Sequence, residues 1–372
     1  MKKKILFAAY SLDIGGIETA LVTLLNYLAK KDYEITLVLE KKQGIFLDKI
    51  NSKIKIIEYR PSYNKIKIFA KIKNVFNRFN FIRKHKNKYD FACSYATYSL
   101  ACSFVARTAS KNNALWVHNN YLDFFLRDEK QYKKFFYDIH CNLFRKIVFV
   151  SNESRNDFIE RCTDLTEKTD VCNNLIDYEK IITQYNQDVD EIEFNKIIKD
   201  RSKKTKIFLN VGRHDEKQKK LSRLISAAKM LDDDGYDFKV LFVGKGEDTE
   251  RYVNQVYESG LQGKIIFLGP KSNPYPYFKK SDCIVMTSDF EGYPVVYVEA
   301  MILEKVIITT DVSDSKFEIE DKYGFVCSKE ISDIYQTMKK FIEDGYEIKT
   351  KFNPDIYNKN IISKVENFIN GE

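Results

Sequence analysis

Two glutamates, Glu291 and Glu299, sit eight residues apart in the stretch SDFEGYPVVYVEAM, residues 288–301. Gly292 and Pro294 stand between them. Just upstream, CIVMTS is apolar and β-branched enough for a buried strand. Pro294 suits the first turn of a helix running through VVYVEAMIL. That helix is apolar on nearly every side, so it is expected to be buried. A buried Glu299 then needs a hydrogen-bond donor, or it costs stability. Glu291 falls in the loop just ahead of the helix N-terminus, beside backbone N–H groups that have no intrahelical acceptor. Carboxylates accept well from sugar hydroxyls and helix amides hold phosphate, so a nucleotide-sugar would use both. A helix cap plus a buried, satisfied glutamate is the plainer alternative.

Glycine and basic residues recur at other strand ends. In LDIGGIETA, Gly15 and Gly16 permit a tight turn into a helix that starts near Glu18. The spacing is not that of the dinucleotide fingerprint G-x-G-x-x-G. In NVGRHDEKQKKLSRLI, Gly212 and Arg213 end a strand, and Lys217, Lys219 and Lys220 precede the next helix. VGKGED places Gly244 and Gly246 at a further strand end. Ligands of open α/β sheets bind at the carboxyl ends of strands, and Arg and Lys there suit phosphate oxygens. A plain strand-to-helix turn and solvated lysines would account for each feature taken alone.

These residues need elements to carry them. Strand-like runs appear at KILFAAY, EITLVLE, KIIEY, DFACSYA, ALWVHN, KIVFVS and TDVCNN, then at KIFLNVG, FKVLFVG, KIIFLG, CIVMTS and KVIITT. Helical patterns such as ETALVTLLNYLAKK and LSRLISAAKMLDDDG lie between them. Apolar strands alternating with helices predict parallel sheets built from βαβ units. The polar stretch 176–205 interrupts the series. We therefore expect a first α/β domain over 1–175, a linker over 176–205, and a second over 206–352. A terminal helix over 353–372 is expected to pack back toward the first domain.

Composition narrows the classes. The chain has 372 residues, 44% of them hydrophobic, and few Gly or Pro, as a folded globular protein does. No apolar run reaches the length that spans a bilayer. The start MKKKILFAAYSL has the basic residues of a signal peptide, but Asp13 ends its short apolar run and no A-x-A site follows; it reads as a buried strand. The seven cysteines are scattered, without C-x-x-C, and suit reduced, buried thiols of a cytoplasmic protein. No metal-ligand spacing joins them to the four histidines.

Charge is uneven. Residues 1–170 hold 31 Lys and Arg against 18 Asp and Glu, a net +13, while the whole chain is +8 and the remainder therefore −5. The excess is densest over 60–90, where ten basic residues face one acid and Ile66, Ile68, Phe69, Ile72, Val75, Phe76, Phe79 and Ile82 recur at largely helical spacing. A surface helix with a solvated face fits these residues. So does a basic amphipathic helix on anionic lipid, with Lys67, Lys71, Lys73 and Arg78 toward the headgroups. Nucleic-acid binding has no motif to support it.

Taken together, GGIETALVTLLNYL with EITLVLE, the W-V-H-N stretch, VFVSNESRNDF, the VGR…K…RLI segment, VGKGED, FLGPKSNPYPYFKKSDCIVMTS and E-x7-E resemble the family 4 retaining glycosyltransferases over nearly the whole chain. E-x7-E is the most specific of these, because Ser288, Glu291, Gly292, Glu299, Ala300 and Met301 fall at the family's spacing. The resemblance implies the GT-B fold, two facing Rossmann-like domains with a deep interdomain cleft, the first (1–175) on the acceptor side and the second (206–352) binding the nucleotide-sugar. It is strongest toward the bacterial branch that builds capsular, exopolysaccharide and lipopolysaccharide units.

The resemblance implies roles for residues. Glu299 would bind the ribose of a nucleotide-sugar donor, taken here as UDP-linked. Glu291 would hold hydroxyls of the transferred hexose, with Ser288 and the backbone of Gly292, Tyr293 and Pro294 beside it. Arg213 and Lys219 would neutralise the diphosphate. Gly15, Gly16, Gly212 and Gly244 would shape donor-binding loops, and His118 would lie near the sugar. Implied with these are retention at the anomeric carbon and a lipid-linked or oligosaccharide acceptor; with no well-placed Asp-x-Asp motif, no metal or other cofactor is expected, and the basic excess of the first domain suits an acceptor met on the inner face of the cell membrane. Two positions depart from the family: Lys220 follows Lys219 where glycine is usual, and Glu304 stands where the turn after the E-x7-E helix usually has glycine. A nucleotide-sugar epimerase of the same fold and a non-catalytic membrane-anchoring partner are the alternatives.

Overall fold

Strands that are apolar at every position can be satisfied only when both of their faces are covered. The computed structural model places the chain's apolar runs in two wholly parallel sheets with helices packed on them. It describes residues 2–13, 15–62, 67–187, 194, 202 and 204–372. By contacts the chain divides into two units, Met1–Ile176 with Asp355–Glu372, and Asp177–Pro354.

The first unit holds β1 (Lys3–Ala9), β2 (Tyr33–Leu39), β3 (Lys55–Glu58), β4 (Phe91–Ser94), β5 (Asn113–Val117), β6 (Lys146–Phe149) and β7 (Thr169–Val171). Their order across the sheet is β3-β2-β1-β4-β5-β6-β7. The lysine-led run at the N-terminus is thus a central strand: Ile5, Leu6, Phe7 and Ala8 have no exposed surface. Helix Pro354–Asn370 completes this unit. Phe368 meets the edge of Trp116 with ring centroids 5.8 Å apart, and Asn358 exchanges two hydrogen bonds with the Ile176 backbone, at 3.2 and 2.7 Å.

The second unit holds β8 (Lys206–Val211), β9 (Phe238–Val243), β10 (Ile265–Gly269), β11 (Cys283–Met286), β12 (Val306–Thr310) and β13 (Gly324–Cys327), in the order β10-β9-β8-β11-β12-β13. In each sheet the order reverses once, between β1 and β4 and between β8 and β11. Such switch points are where open α/β sheets bind ligands.

Two features differ from the sequence reading. The stretch expected as linker carries a helix, Tyr178–Tyr185, with Ile181 buried, and this helix packs against the helices Tyr275–Lys280 and Val295–Ile302. The rest of that stretch lies largely outside the described residues. Strand β13 was not expected at all. It is four residues long and at the sheet edge, and its burial does not alternate. It begins with Gly324, whose φ is +158; a Cβ there would come within 1.9 Å of the Ile307 carbonyl oxygen. All seven cysteines are buried and unbridged.

The two departures from family glycine have a backbone consequence. Lys220 has φ +50 and Glu304 has φ +51, both left-handed. After helix Val295–Ile302, the Glu304 N–H bonds the Met301 carbonyl at 3.3 Å and the Lys305 N–H bonds Ala300 at 2.9 Å. That is the double-bonded helix end in which glycine is normally preferred. A left-handed non-glycine residue costs roughly 1–2 kcal/mol, partly offset by glycine's larger loss of backbone freedom on folding. Glu304→Gly is therefore expected to stabilise the protein by about 0.5–1 kcal/mol, read as a higher denaturation midpoint at unchanged slope. A lower midpoint would contradict this account of the turn.

Candidate functional site

The loop after β11 and the loop after β8 meet at the switch point of the second unit. Ser288, Asp289, Phe290, Glu291, Gly292 and Tyr293 lead to Pro294, which precedes helix Val295–Ile302; no side chain caps that helix. Two hydroxyls from the β12 side pin the loop. Thr310 donates to the Ser288 carbonyl at 2.7 Å, and Ser313 donates to the Gly292 carbonyl at 2.6 Å. On the β8 side, Asp289 N–H donates to the Gln218 carbonyl at 2.7 Å, and Arg223 pairs with Asp289 at 2.6 Å.

Glu291 is the centre of the arrangement. Its carboxylate is buried, 5% exposed, and Lys219 Nζ lies 2.5 Å from Oε1. Ser288 Oγ donates to the same oxygen at 2.7 Å, and Gln218 Nε2 donates to Oε2 at 3.2 Å. Gln218 Oε1 in turn accepts from Arg213 at 3.3 Å, and Arg213 pairs with Asp215 at 3.1 Å. The Arg213 guanidinium is itself exposed. Of the expected residues, then, Arg213, Lys219, Ser288 and Glu291 form one network, with Gly292 and Tyr293 in its loop. Gln218, which the sequence reading did not single out, joins the cation to the carboxylate. An amide can do this because it carries both an acceptor and donors.

Gly212 and Gly244 sit at the ends of β8 and β9. A Cβ on Gly212 would face Lys219 Cε at 3.8 Å. Gly244 has φ +143, and a Cβ there would lie 1.9 Å from the Gly212 carbonyl oxygen. Only glycine lets these two strand ends approach so closely.

Glu299 lies a helical turn and more beyond Glu291, and no direct bond joins the two. Its partner is Tyr275, whose hydroxyl donates to Oε1 at 2.9 Å. Tyr275 stands on helix Tyr275–Lys280 and was also missed from sequence. Burial pushes the Glu299 carboxyl up to about 7, against the lowering effect of the Tyr275 hydrogen bond. The pair presents a carboxylate with one oxygen oriented by a phenol, an arrangement able to accept from vicinal hydroxyls.

The first unit carries the remaining expected residues. Gly15 caps helix Gly16–Leu28, and a Cβ at Gly16 would meet nothing within 4 Å. His118 follows β5 and is buried with neither ring nitrogen hydrogen-bonded; its ring lies 4.2 Å from that of Tyr95. Burial pushes the imidazole down to about 3, so it is neutral at physiological pH. Nearby strand ends hold further buried unbonded polar atoms, Asn119 Oδ1 and Asn174 Oδ1 among them. Lys71, Lys73 and Arg78 lie on helix Lys67–His85, and the side chain of Lys67 and all of Ile66 lie outside the described residues. Among the described residues, no helix is long and apolar enough to cross a membrane, and no three or more His, Cys, Asp or Glu gather as a metal site would need.

Comparison with known proteins agrees with this architecture. The family model of glycosyl transferases group 1 matches residues 191–359, and that of glycosyltransferase family 4 matches residues 14–180. A Campylobacter jejuni N-acetylgalactosaminyltransferase, named for a diacetylbacillosaminyl-diphospho-undecaprenol acceptor, is 24% identical over 370 residues, covering 94% of each chain. An uncharacterised glycosyltransferase of Methanocaldococcus jannaschii is 27% identical over 208 residues, 55% of this chain; the match spans about half of that relative, 49%. Among solved structures, Anabaena HepE in complex with UDP and glucose superposes with a TM-score of 0.76 at 17% identity, covering 98% of this chain and 99% of that one.

A carboxyl whose folded pKa is raised favours the folded state fully below its unfolded value, near 4.5, and loses that advantage as pH rises through about 7. Wild-type stability relative to Glu299→Gln should therefore fall between pH 5 and pH 8 in urea titrations. A gap that stays constant over that range would show that Glu299 is not desolvated.

Proposed function

The chain belongs to the family 4 glycosyltransferases, and from that membership we propose that it moves a hexose from a UDP-linked donor onto a lipid-linked saccharide, with retention at the anomeric carbon, in bacterial surface polysaccharide synthesis. The observation that carries this reading is the buried Glu291 held by Lys219, Ser288 and Gln218 at the switch point, ahead of an uncapped helix N-terminus.

Each group then has a task. Glu299, oriented by Tyr275, accepts from the ribose hydroxyls. Glu291 accepts from hydroxyls of the transferred sugar. As the bond to the diphosphate breaks, negative charge grows on the leaving oxygens. In this reading Lys219, Arg213 and the amides of helix Val295–Ile302 meet that charge, so the proposal calls for no divalent metal or other cofactor. His118, neutral and desolvated, offers one donor and one acceptor to a sugar. The undecaprenol-diphosphate saccharide in the name of the Campylobacter relative supports the acceptor class.

A thermal-shift screen of nucleotide-sugars identifies the donor first. Ligand at about 100 times its dissociation constant adds roughly 2.7 kcal/mol. With that donor, UDP release should persist in excess EDTA and fall by about tenfold or more in Arg213→Ala, which strands phosphate charge. Loss of all turnover in EDTA, restored by Mg²⁺ or Mn²⁺, would refute the charge-neutralising role given to Lys219 and Arg213. An isomerised nucleotide-sugar would instead mark an epimerase, and binding without turnover a non-catalytic partner.

The acceptor class brings the membrane with it. Helix Lys67–His85 leaves Ile68, Phe69, Val75, Phe76 and Phe79 more than half exposed, interleaved with Lys71, Lys73 and Arg83. We propose that this face docks on the anionic inner leaflet, where each basic residue near the surface contributes about 1 kcal/mol and the apolar rings enter the headgroup zone. Lys67, Lys71 and Lys73 changed together to Glu should abolish sedimentation with anionic vesicles while UDP binding survives. Salt should weaken the wild-type interaction. Unchanged sedimentation of the reversed protein would leave the helix an ordinary solvated one.

A further inference from the structure

An ionised carboxylate has two oxygens and about four positions at which it accepts hydrogen bonds. On Glu291 the protein itself fills most of them. Lys219 Nζ at 2.5 Å and Ser288 Oγ at 2.7 Å share Oε1, and Gln218 Nε2 lies 3.2 Å from Oε2. The group is buried, so little of it is open to any further donor. What remains is a single acceptor position on Oε2, beside the Gln218 amide.

Gln218 is fixed for this task at both ends. Its backbone carbonyl accepts from the Asp289 N–H at 2.7 Å, and its own N–H donates to Asp215 Oδ1 at 3.2 Å. Its amide oxygen accepts from Arg213 at 3.3 Å, which leaves the amide nitrogen to face the loop after β11. There Nε2 donates to the Phe290 carbonyl at 3.3 Å as well as to Glu291. An amide carries its acceptor and its donors in one plane, so the Arg213 contact sets which way the donors point. Turned over, it would aim its donors at a guanidinium and its oxygen at a carboxylate, two repulsive contacts. A carboxylate at this position would repel Glu291, and an ammonium would repel Arg213.

We propose that Gln218 is a positioning residue that narrows the reading of the transferred sugar by Glu291 to a single hydroxyl. It fills one acceptor position of Oε2 and fixes the carboxylate plane, and the sugar takes the position left over. A lone charged acceptor discriminates strongly, because a sugar with no hydroxyl there leaves a buried carboxylate oxygen short of a partner. This rests on the glycosyltransferase reading, in which Glu291 meets the transferred sugar and Arg213 the diphosphate. It adds that one neutral amide joins the two.

Calorimetric titration of UDP, UDP-glucose, UDP-galactose, UDP-N-acetylglucosamine and UDP-N-acetylgalactosamine into wild type selects the donor. The ratio of its affinity to that of UDP isolates the sugar's share. Gln218→Met, of like length without the hydrogen bonds, should cut that ratio by about tenfold while UDP itself stays within about threefold, because Arg213 keeps Asp215. Gln218→Glu gives a readout that general loosening would not. Its carboxyl would face Glu291 across the 3.2 Å contact, with Asp215, Arg213 and Lys219 the other charges around it, and carboxylates so close favour a shared proton that restores the hydrogen bond. The ratio in Gln218→Glu should be lost at about pH 8 and recover toward about pH 5, while wild type holds its ratio, since Glu299 acts on UDP and UDP-sugar alike. Among monodeoxy derivatives of the donor, the penalty at one position alone should vanish in Glu291→Gln. Two such positions, an unchanged ratio in Gln218→Met, or no recovery of Gln218→Glu at low pH overturns the role of Gln218 alone. So does a wild type that binds UDP but gains nothing from any of the four sugars. A wild type that binds neither UDP nor any UDP-sugar overturns the glycosyltransferase reading, and this inference with it.

Discussion

The pairing of Lys219 with Glu291 is the constraint on which the second unit's site depends. An unpaired carboxylate at 5% exposure would be costly, and breaking a buried pair by removing one partner costs about 3–5 kcal/mol. The pair therefore does two things at once. It lets the loop after β11 close over the sheet, and it keeps a cation and a carboxylate side by side where the strand order reverses. Ser288 and Gln218 fill further acceptor positions of Glu291, which makes the burial tolerable.

The surrounding structure reads as support for that contact. Thr310 and Ser313 hold the Ser288 and Gly292 carbonyls, which fixes the backbone of the loop on either side of Glu291. Gly244 lets the β9 end abut the Gly212 carbonyl, which sets where the chain leaves β8 toward Lys219. Lys220 takes the left-handed conformation needed to turn from that loop into helix Leu221–Asp233, and it bridges Glu216 and Asp289, each at 3.7 Å. The strain of a non-glycine residue there is borne next to the site, as is common where function fixes the backbone.

Much of this was legible in the sequence because the signals were local. Continuous apolar runs named twelve of the strands, and their alternation with helices required parallel sheets. Carboxylate spacing, the loop ahead of an apolar helix and the family resemblance together singled out Glu291 and Glu299. What escaped depended on distant residues. Gln218 is one amide in the run DEKQKK, and only the approach of the β11 loop gives it a carboxylate to bind. Tyr275 matters because helix Tyr275–Lys280 faces Glu299 from 24 residues away. Strand β13 is too short and too half-buried to show a period. Glu40 ends an apolar strand, where a charged residue usually marks the surface; Ser99, 59 residues on, is part of what makes its burial possible.

In the proposed function, Glu299 and Glu291 divide a UDP-sugar between them, one on the ribose and one on the sugar. Calorimetric titration of UDP and of the matching UDP-sugar into wild type, Glu299→Gln and Glu291→Gln tests this most directly. The account predicts that Glu299→Gln weakens both ligands alike, while Glu291→Gln removes the extra affinity of UDP-sugar over UDP and leaves UDP nearly unchanged. Equal loss for both ligands in Glu291→Gln, or none in Glu299→Gln, would contradict it.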